Sequence, residues 1–192
     1  MEKKHFHINL GNFLLRSPSA EDAEAYYKRN FAPLEPEAAR LTGSRTDFTR
    51  EEVVGFFHKC LADPDRCDLL LLSPTGEIIG ESVLNEFDPQ AMGANLRICI
   101  FHKEDRCRGL GSIALKETLR IAFEELSLSR VTLTVFSFNT HARHLYERAG
   151  FRVTQVFRDE IRDGDGFADE IEMAITADQW KNTKQTVTTD NG

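Results

Sequence analysis

The sequence lacks any long hydrophobic run. No apolar segment approaches the roughly 18 residues that a membrane-spanning helix requires, and the N-terminal stretch Met1–His7 lacks the apolar core of a signal peptide. These two absences oppose a membrane protein and a secreted protein. We therefore expect a cytoplasmic protein that has no membrane partner.

Basic residues are also fewer than acidic ones. Lysine and arginine together number 24 against 31 aspartates and glutamates, so the formal net charge is -7. An acidic surface opposes general affinity for nucleic acid and anionic lipid, and it attracts cations instead. We expect no nucleic-acid partner.

Cysteines are few and scattered along the chain. Their spacing does not match that of metal ligands, and the histidines fall in pairs with one another rather than beside the cysteines. We therefore expect reduced, structural thiols and no bound metal. The cysteines are Cys60, Cys67, Cys99 and Cys107.

The length of 192 residues suits one domain with a substantial core. We find no internal repeat. The last residues, 181–192, are polar and almost lack apolar side chains, which is typical of a segment that does not pack. We predict a single domain over residues 1–180 and a flexible C-terminal tail over residues 181–192.

Apolar runs and helical spacing alternate along the chain in a definite order. The pattern predicts a strand, two helices, a three-stranded antiparallel meander, a helix, a strand, a helix and a final strand pair. A strand, helix and strand in succession imply one parallel pair joined by a right-handed crossover. The predicted strands cover residues 13–16, 68–72, 77–87, 96–101, 131–135, 151–157 and 169–176.

Two glycines and two arginines follow the strand that ends at Phe101. The glycines let the backbone approach a ligand closely, and the first N–H groups of the following helix have no partners inside that helix. The arginines add positive charge, so the stretch predicts a cradle for phosphate or pyrophosphate. Its residues are Arg106, Cys107, Arg108, Gly109, Leu110, Gly111 and Ser112.

Two other phosphate-binding patterns fit this stretch poorly. With Ala114, the glycines satisfy the dinucleotide fingerprint, but a charged segment separates them from the preceding strand. The next strand ends in Phe136-Ser137-Phe138, where a dinucleotide fold needs an acidic residue for the ribose. A P-loop is excluded because the stretch has no Gly-Lys-Ser/Thr ending.

A second stretch, Asn139 to Phe151, changes the interpretation of the first. The loop fits Gln/Arg-x-x-Gly-x-Gly/Ala, and the second stretch fits Asn-x-x-Ala-x-x-x-Tyr followed by Gly-Phe. Together they resemble the GNAT superfamily of N-acetyltransferases, in the style of the RimJ/RimL-like branch of ribosomal-protein N-terminal and spermidine acetyltransferases. The resemblance covers about Phe13 to Thr176. It implies an α/β (α+β) GNAT fold, a mixed, mostly antiparallel twisted sheet of about seven strands with flanking helices and a central parallel pair.

The resemblance also implies acetyl-CoA as cosubstrate and assigns residues to it. The backbone from Arg106 through Ser112 would hold the pyrophosphate, Ile100 and Phe101 would pair with the pantetheine arm, and Asn139 would hydrogen-bond the same arm. Tyr146 matches the position of the proton donor to the departing thiolate. Packing of its ring beside Leu145 is the alternative.

The general base is open at this stage. Glu81, inside the meander, is our first candidate, and a structural or surface glutamate is the alternative. Glu35 and Glu37 lie where this branch shapes its acceptor pocket and could attract an ammonium group, or they could belong to a solvated loop.

The resulting hypothesis is an N-acetyltransferase that works through a ternary complex, with direct attack by a primary amine. The acceptor would be a small amine, a polyamine or a protein N-terminal α-amine. A non-catalytic acyl-CoA-binding sensor on the same fold is the alternative. The family often dimerises, which leaves a homodimer open.

Overall fold

The computed structural model of the chain describes residues 3–106 and 108–189, and side chains as far as Thr183. The chain divides into two compact units. One comprises Met1–Glu86 and Arg97–Thr118, and the other comprises Phe87–Leu96 and Leu119–Gly192. The single-domain organisation stays a prediction.

Strands of the first unit pair antiparallel in chain order. The next strand in the sheet order belongs to this unit only with its last residues, from Arg97 onward. The five strands are β1 (His7–Leu10), β2 (Phe13–Arg16), β3 (Cys67–Leu72), β4 (Ile78–Asp88) and β5 (Gly93–Ile100). Strand β1 was not predicted. It forms a hairpin with β2 across Gly11, whose φ of +69° is a conformation that glycine adopts without strain.

Three helices precede β3, where the sequence predicted two. They are α1 (Asp22–Asn30), α2 (Pro36–Thr42) and α3 (Arg50–Ala62). Helix α2 is the additional one, and proline stands at its start, where the missing N–H costs nothing. Helix α3 begins after Thr49, which caps it and forms a capping box with Glu52.

The core of the first unit is aromatic. The ring of Tyr26 on α1 lies 5.0 Å from Phe31 and 5.1 Å from Phe57 of α3, centroid to centroid. Phe101, directly after β5, meets the Tyr26 ring edge-on at 5.7 Å. Such tilted and edge-on pairs stabilise beyond their buried area, so α1, α3 and the end of β5 are held together.

The second unit contains the parallel pair. The first residues of β5 pair parallel with β6 (Arg130–Phe136), over Gly93–Asn95 only. Two longer strands complete the unit and pair antiparallel, β6 with β8 (Gly166–Thr176) and β8 with β7 (Arg152–Asp163). The mostly antiparallel sheet with one parallel pair is thus confirmed, with eight strands in the described residues.

Helix α4 (Leu110–Arg120) precedes β6 and continues into a π-helical turn over Ile121–Glu125. Helix α5 (Thr140–Ala149) connects β6 to β7. The turn between β7 and β8 is short, because β7 runs to Asp163 and β8 begins at Gly166, whereas the predicted strands end at residue 157 and begin at residue 169.

The structure places a helix in the segment predicted as a tail, and the flexibility of that segment stays a prediction. Helix α6 (Ala177–Thr189) runs through most of it, and residues 190–192 lie outside the described part of the chain. Its anchor is Trp180, which is buried and lies 5.4 Å from the ring of Phe123. One buried tryptophan near the start of α6 fixes a helix whose remaining sequence is polar. None of the described helices is both long and apolar enough to cross a bilayer.

Candidate active site

The glycine loop ends at the N-terminus of α4. Gly109 has a φ of +75°, a conformation that other residues rarely adopt, and its carbonyl accepts from Ile113 N at 3.1 Å. The helix therefore begins at Leu110, directly after Gly109. Leu110 is buried and anchors the first turn. The N–H groups of residues 110–112 stand at the open end of the helix, where anions bind.

The side chain of Arg106 has four protein partners. Its guanidinium donates to the carbonyls of Ile100 and Phe101 at 3.1 and 2.9 Å, and to Glu35 Oε2 and Glu37 Oε2 at 2.6 and 2.9 Å. Its backbone N–H donates to Lys103 O. In this structure Arg106 ties the start of α2 to the end of β5, and two carboxylates balance its charge.

This arrangement gives Glu35 and Glu37 a partner that was not expected. Both carboxylates bind Arg106, while the Glu37 side chain remains 50% exposed to solvent. A role of either glutamate in an acceptor pocket stays a prediction. Arg108 is the arginine that keeps an exposed head, 4.0 Å from Asp105. Cys107 lies outside the described residues.

At the end of β5, successive backbone N–H groups point to opposite edges of the strand. The N–H of Phe101 donates to Ile79 O of β4 at 3.1 Å, so this group is committed to the sheet. Neighbouring residues of a strand direct their N–H groups to opposite edges. Of the two residues assigned to the pantetheine arm, Ile100 is therefore the one whose N–H lies on the outer edge.

Strands β4 and β5 approach closely at Gly80. A Cβ on Gly80 would lie 2.7 Å from the carbonyl oxygen of Cys99 and 2.8 Å from Cδ1 of Ile100. The β3–β4 register also shifts here, between Leu71 and Leu72. Only a residue without a side chain lets the two strands meet at this point.

Glu81 follows Gly80 and turns towards α1. Its Oε2 accepts a 2.6 Å hydrogen bond from the hydroxyl of Tyr26. Burial raises the pKa of the Glu81 carboxyl, while the Tyr26 hydrogen bond and Arg97 act to lower it. Burial, together with Glu81, raises the pKa of Tyr26 well above its ordinary value. A carboxyl with a raised pKa beside a protonated phenol suits proton transfer near neutral pH.

The sequence analysis did not single out Tyr26. Its one signal was its place on the apolar face of α1, three residues after the buried Ala23. Such spacing indicates core packing, which Tyr26 also provides. The hydroxyl's partner lies 55 positions away in sequence, beyond the reach of any local pattern.

Cys99 lies near Glu81, on the neighbouring strand. Burial is the main cause that raises the pKa of the Cys99 thiol to about 12, and the same cause raises that of Cys67 to about 12. Both thiols stay protonated and inert at neutral pH. Together with Cys60 they are free, as expected for structural thiols.

The second unit carries the two remaining predicted residues, Asn139 and Tyr146. Asn139 caps α5, because its Oδ1 accepts from the N–H of Ala142 at 3.2 Å. Its amide nitrogen is the part of the side chain that remains suited to donate to a ligand.

Tyr146 lies on the buried face of α5 and is 7% exposed. Its ring lies 5.8 Å from that of the fully buried Phe151, directly after the helix ends at Gly150. The φ of Gly150 is +105°, so glycine terminates the helix and turns the chain towards Phe151. The packing alternative for Tyr146 therefore has a real contact, which is compatible with a role for the hydroxyl.

Comparisons with known proteins identify a family and several solved structures that this chain resembles. The family described as "Acetyltransferase (GNAT) domain" matches residues 12–152. A spermidine N-acetyltransferase from Vibrio cholerae, solved with CoA and spermine, superposes with a TM-score of 0.78 at 20% identity, over 88% of this chain and 98% of that one. A GNAT-family acetyltransferase from Bacillus anthracis superposes with a TM-score of 0.73 at 21% identity, over 90% and 99%. These structures share the fold.

The family match extends over the glycine loop, Glu81, Asn139 and Tyr146, and it ends at residue 152. No group of three or more metal-binding side chains occurs in the described part of the chain. The protein belongs to the GNAT family of acetyltransferases and is an N-acetyltransferase that uses acetyl-CoA as its acetyl donor.

Proposed function

We propose that this protein acetylates a small cationic amine, with a polyamine as the first acceptor class, and that Glu81 is the general base. The observation that carries the proposal is the setting of Glu81, whose half-buried carboxyl accepts a 2.6 Å hydrogen bond from Tyr26, and burial raises its pKa. It follows Gly80, the residue at which β4 touches the end of β5. A proton acceptor thus lies beside the strand assigned to the acetyl donor.

The donor would be held by backbone groups of the first unit. The N–H groups of Leu110, Gly111 and Ser112 would hold the pyrophosphate, with Arg108 adding a charge that can reach it. The outer edge of β5 at Ile100 would accept the pantetheine arm as an added strand. The amide nitrogen of Asn139 would donate to the same arm.

The reaction needs three proton movements. An alkylammonium has a pKa near 10.4, so it must lose a proton before its nitrogen can attack the thioester carbonyl. Glu81 would take that proton, directly or through one water. As the C–N bond forms and the C–S bond breaks, the thiolate leaves and the Tyr146 hydroxyl would give it a proton. The nitrogen loses its second proton as the amide forms, and this proton would pass through water to restore the Tyr146 hydroxyl.

Two arguments favour a polyamine. The net charge of -7 attracts cations, and the Vibrio cholerae structure was solved with spermine. A protein N-terminal α-amine is the other class, since its pKa of about 7.7 to 8.0 requires less deprotonation. Glu35 and Glu37 do not enter this argument because Arg106 binds both.

The test is a thiol-release assay with acetyl-CoA and a panel of spermine, spermidine, aminoglycosides, amino acids and N-terminal peptides. We expect the highest kcat/KM with spermine or spermidine. Glu81→Gln should lower kcat at least a hundredfold, whereas Glu86→Gln, an exposed glutamate of the same strand, should leave it unchanged. Faster release with N-terminal peptides would overturn the polyamine assignment. Binding of acetyl-CoA by calorimetry with no amine-dependent release would favour the sensor.

A further inference from the structure

The phenol of Tyr26 is held in a single position. Three aromatic rings surround it at centroid distances of 5.0 to 5.7 Å, and the residue is 9% exposed. The rings belong to Phe31, Phe57 and Phe101. A side chain packed in this way delivers its hydroxyl to one place, and that place is Glu81 Oε2, 2.6 Å away.

The hydrogen bond leaves one carboxylate oxygen of Glu81 for chemistry. Oε2 is occupied by Tyr26, so Oε1 is the oxygen that can accept a proton from the amine or from a bridging water. Because the hydroxyl is fixed by its ring, the plane and direction of the carboxylate are fixed with it. The packing of the Tyr26 ring in the core therefore orients the carboxylate of Glu81.

We propose that Tyr26 is a positioning residue of the transferase, which holds Glu81 in the orientation and ionisation state needed for proton abstraction. This inference rests on the proposed role of Glu81. The proton moves from the ammonium nitrogen to Glu81, while Tyr26 keeps its own proton and donates only a hydrogen bond. Burial prevents Tyr26 from ionising near neutral pH.

Other charged groups around Glu81 set its pKa together with Tyr26. Arg97 of β5 and Arg66 before β3 favour the carboxylate, while Asp68 of β3 opposes it. Cys99 of β5 and Cys60 of α3 are neutral thiols near neutral pH, since burial raises the pKa of each. Tyr26 is the group among these that hydrogen-bonds Glu81 directly.

Tyr26→Phe removes the hydrogen bond and keeps the aromatic packing. The bond favours the charged carboxylate, so its loss raises the pKa of Glu81 further. We expect the acidic limb of the kcat–pH profile, measured with acetyl-CoA and spermine, to move up by about one pH unit. Below that limb kcat should fall about tenfold, while the KM for acetyl-CoA stays unchanged. Tyr27→Phe is the matched control, because Tyr27 is the half-exposed neighbour, and its profile should match the wild type.

A second measurement needs no acceptor amine. The side-chain carboxyl of Glu81 is titrated by carbon-13 NMR in glutamate-labelled protein, with Glu81→Gln identifying its signal. Tyr26→Phe should raise this pKa by the same amount as it moves the limb. An unchanged pKa, or a pKa that moves while the limb stays, would overturn the positioning role.

The outcomes separate this inference from the proposed function. Full turnover in Glu81→Gln would remove Glu81 as the base, whatever Tyr26 does. Loss of turnover in Glu81→Gln combined with a wild-type profile in Tyr26→Phe would leave the base in place and reject the role of Tyr26. In the double variant, Tyr26→Phe should add no further loss to that of Glu81→Gln, because the two act as one unit.

Discussion

The guanidinium of Arg106 lies 2.6 Å from Glu35 Oε2, so a carboxylate balances the charge of Arg106. The same side chain binds Glu37 and two backbone carbonyls at the end of β5. Arg106 and Arg108 are two positions apart in sequence, yet their surroundings differ. Arg106 joins the start of α2 to the end of β5, whereas Arg108 keeps a side chain that is 56% exposed and that we propose contacts the donor.

The first prediction separates these two arginines. Arg106→Gln breaks charge-assisted hydrogen bonds at a side chain that is 17% exposed, so the free energy of unfolding should fall by about 2 kcal/mol. Arg108→Gln, at a side chain that is 56% exposed, should change it by less than about 0.5 kcal/mol. Urea unfolding of both variants measures this difference.

For acetyl-CoA affinity, the larger effect should come from Arg108→Gln and the smaller one from Arg106→Gln. Arg108→Gln should weaken binding by about tenfold at low salt and by less at high salt, because the exposed charge is screened. Arg106→Gln should weaken it by less than Arg108→Gln does. Calorimetric titrations that find Arg106 to be the stronger contributor would contradict this division of roles.

A second prediction concerns the cradle itself. Nothing lies within 4 Å of a Cβ added to Gly109, so its requirement for glycine is its φ of +75° alone. Gly109→Ala should cost about 1 to 2 kcal/mol of unfolding free energy, and Gly109→Asn should cost less. Gly109→Glu should abolish acetyl-CoA binding, whereas Gly109→Gln, of equal size, should bind weakly. Equal binding by Glu and Gln would show that charge at this position is irrelevant.

A third prediction tests the proton donor. Tyr146→Phe keeps the ring contact with Phe151, so the melting temperature and acetyl-CoA affinity should change little. Turnover should fall by about a hundredfold, because the thiolate then leaves without a proton. Wild-type turnover in this variant would show that Tyr146 packs against Phe151 and is not the proton donor. Tyr146→Ala serves as the comparison and should lose about 3 to 5 kcal/mol of stability as well.

A fourth prediction follows from the raised pKa of Glu81. Its carboxyl binds protons more tightly in the folded state than in the unfolded chain. The contribution of Glu81 to stability is therefore fully present below the unfolded pKa, and it is lost as the pH rises through the folded pKa. Glu81→Gln removes the ionisation, so the variant should be more stable than the wild type at pH 8 and should approach it at pH 4. Melting curves across that range that run parallel would refute the raised pKa.

Much of the fold could be predicted because local patterns carry it. The structure confirms the predicted apolar strands. The capping box at Thr49 and the glycine at the end of α5 likewise depend on residues close in sequence. Helix α6 could not be predicted in this way. Its sequence is polar, and its helical state depends on the burial of Trp180 against Phe123, which is a tertiary contact.

The residues of the candidate site differ in the same way: some have local roles, and others depend on contacts between distant parts of the sequence. Glycine at position 109 and asparagine at position 139 have local roles in a turn and a cap, so their motifs were recognisable. The partners of Arg106 and Glu81 lie 71 and 55 positions away. A sequence pattern shows the charge of a side chain, but the fold decides which opposite charge or hydroxyl meets it.

The contact of β4 with β5 at Gly80 has a consequence for redesign. A side chain on residue 80 would collide with the backbone carbonyl of Cys99 on β5. The choice of residue at this position is therefore limited by volume and not by chemistry. Any library that exchanges residues of β4 has to keep residue 80 fixed, because even alanine there would push β5 away from β4, the strand that carries the proposed base Glu81.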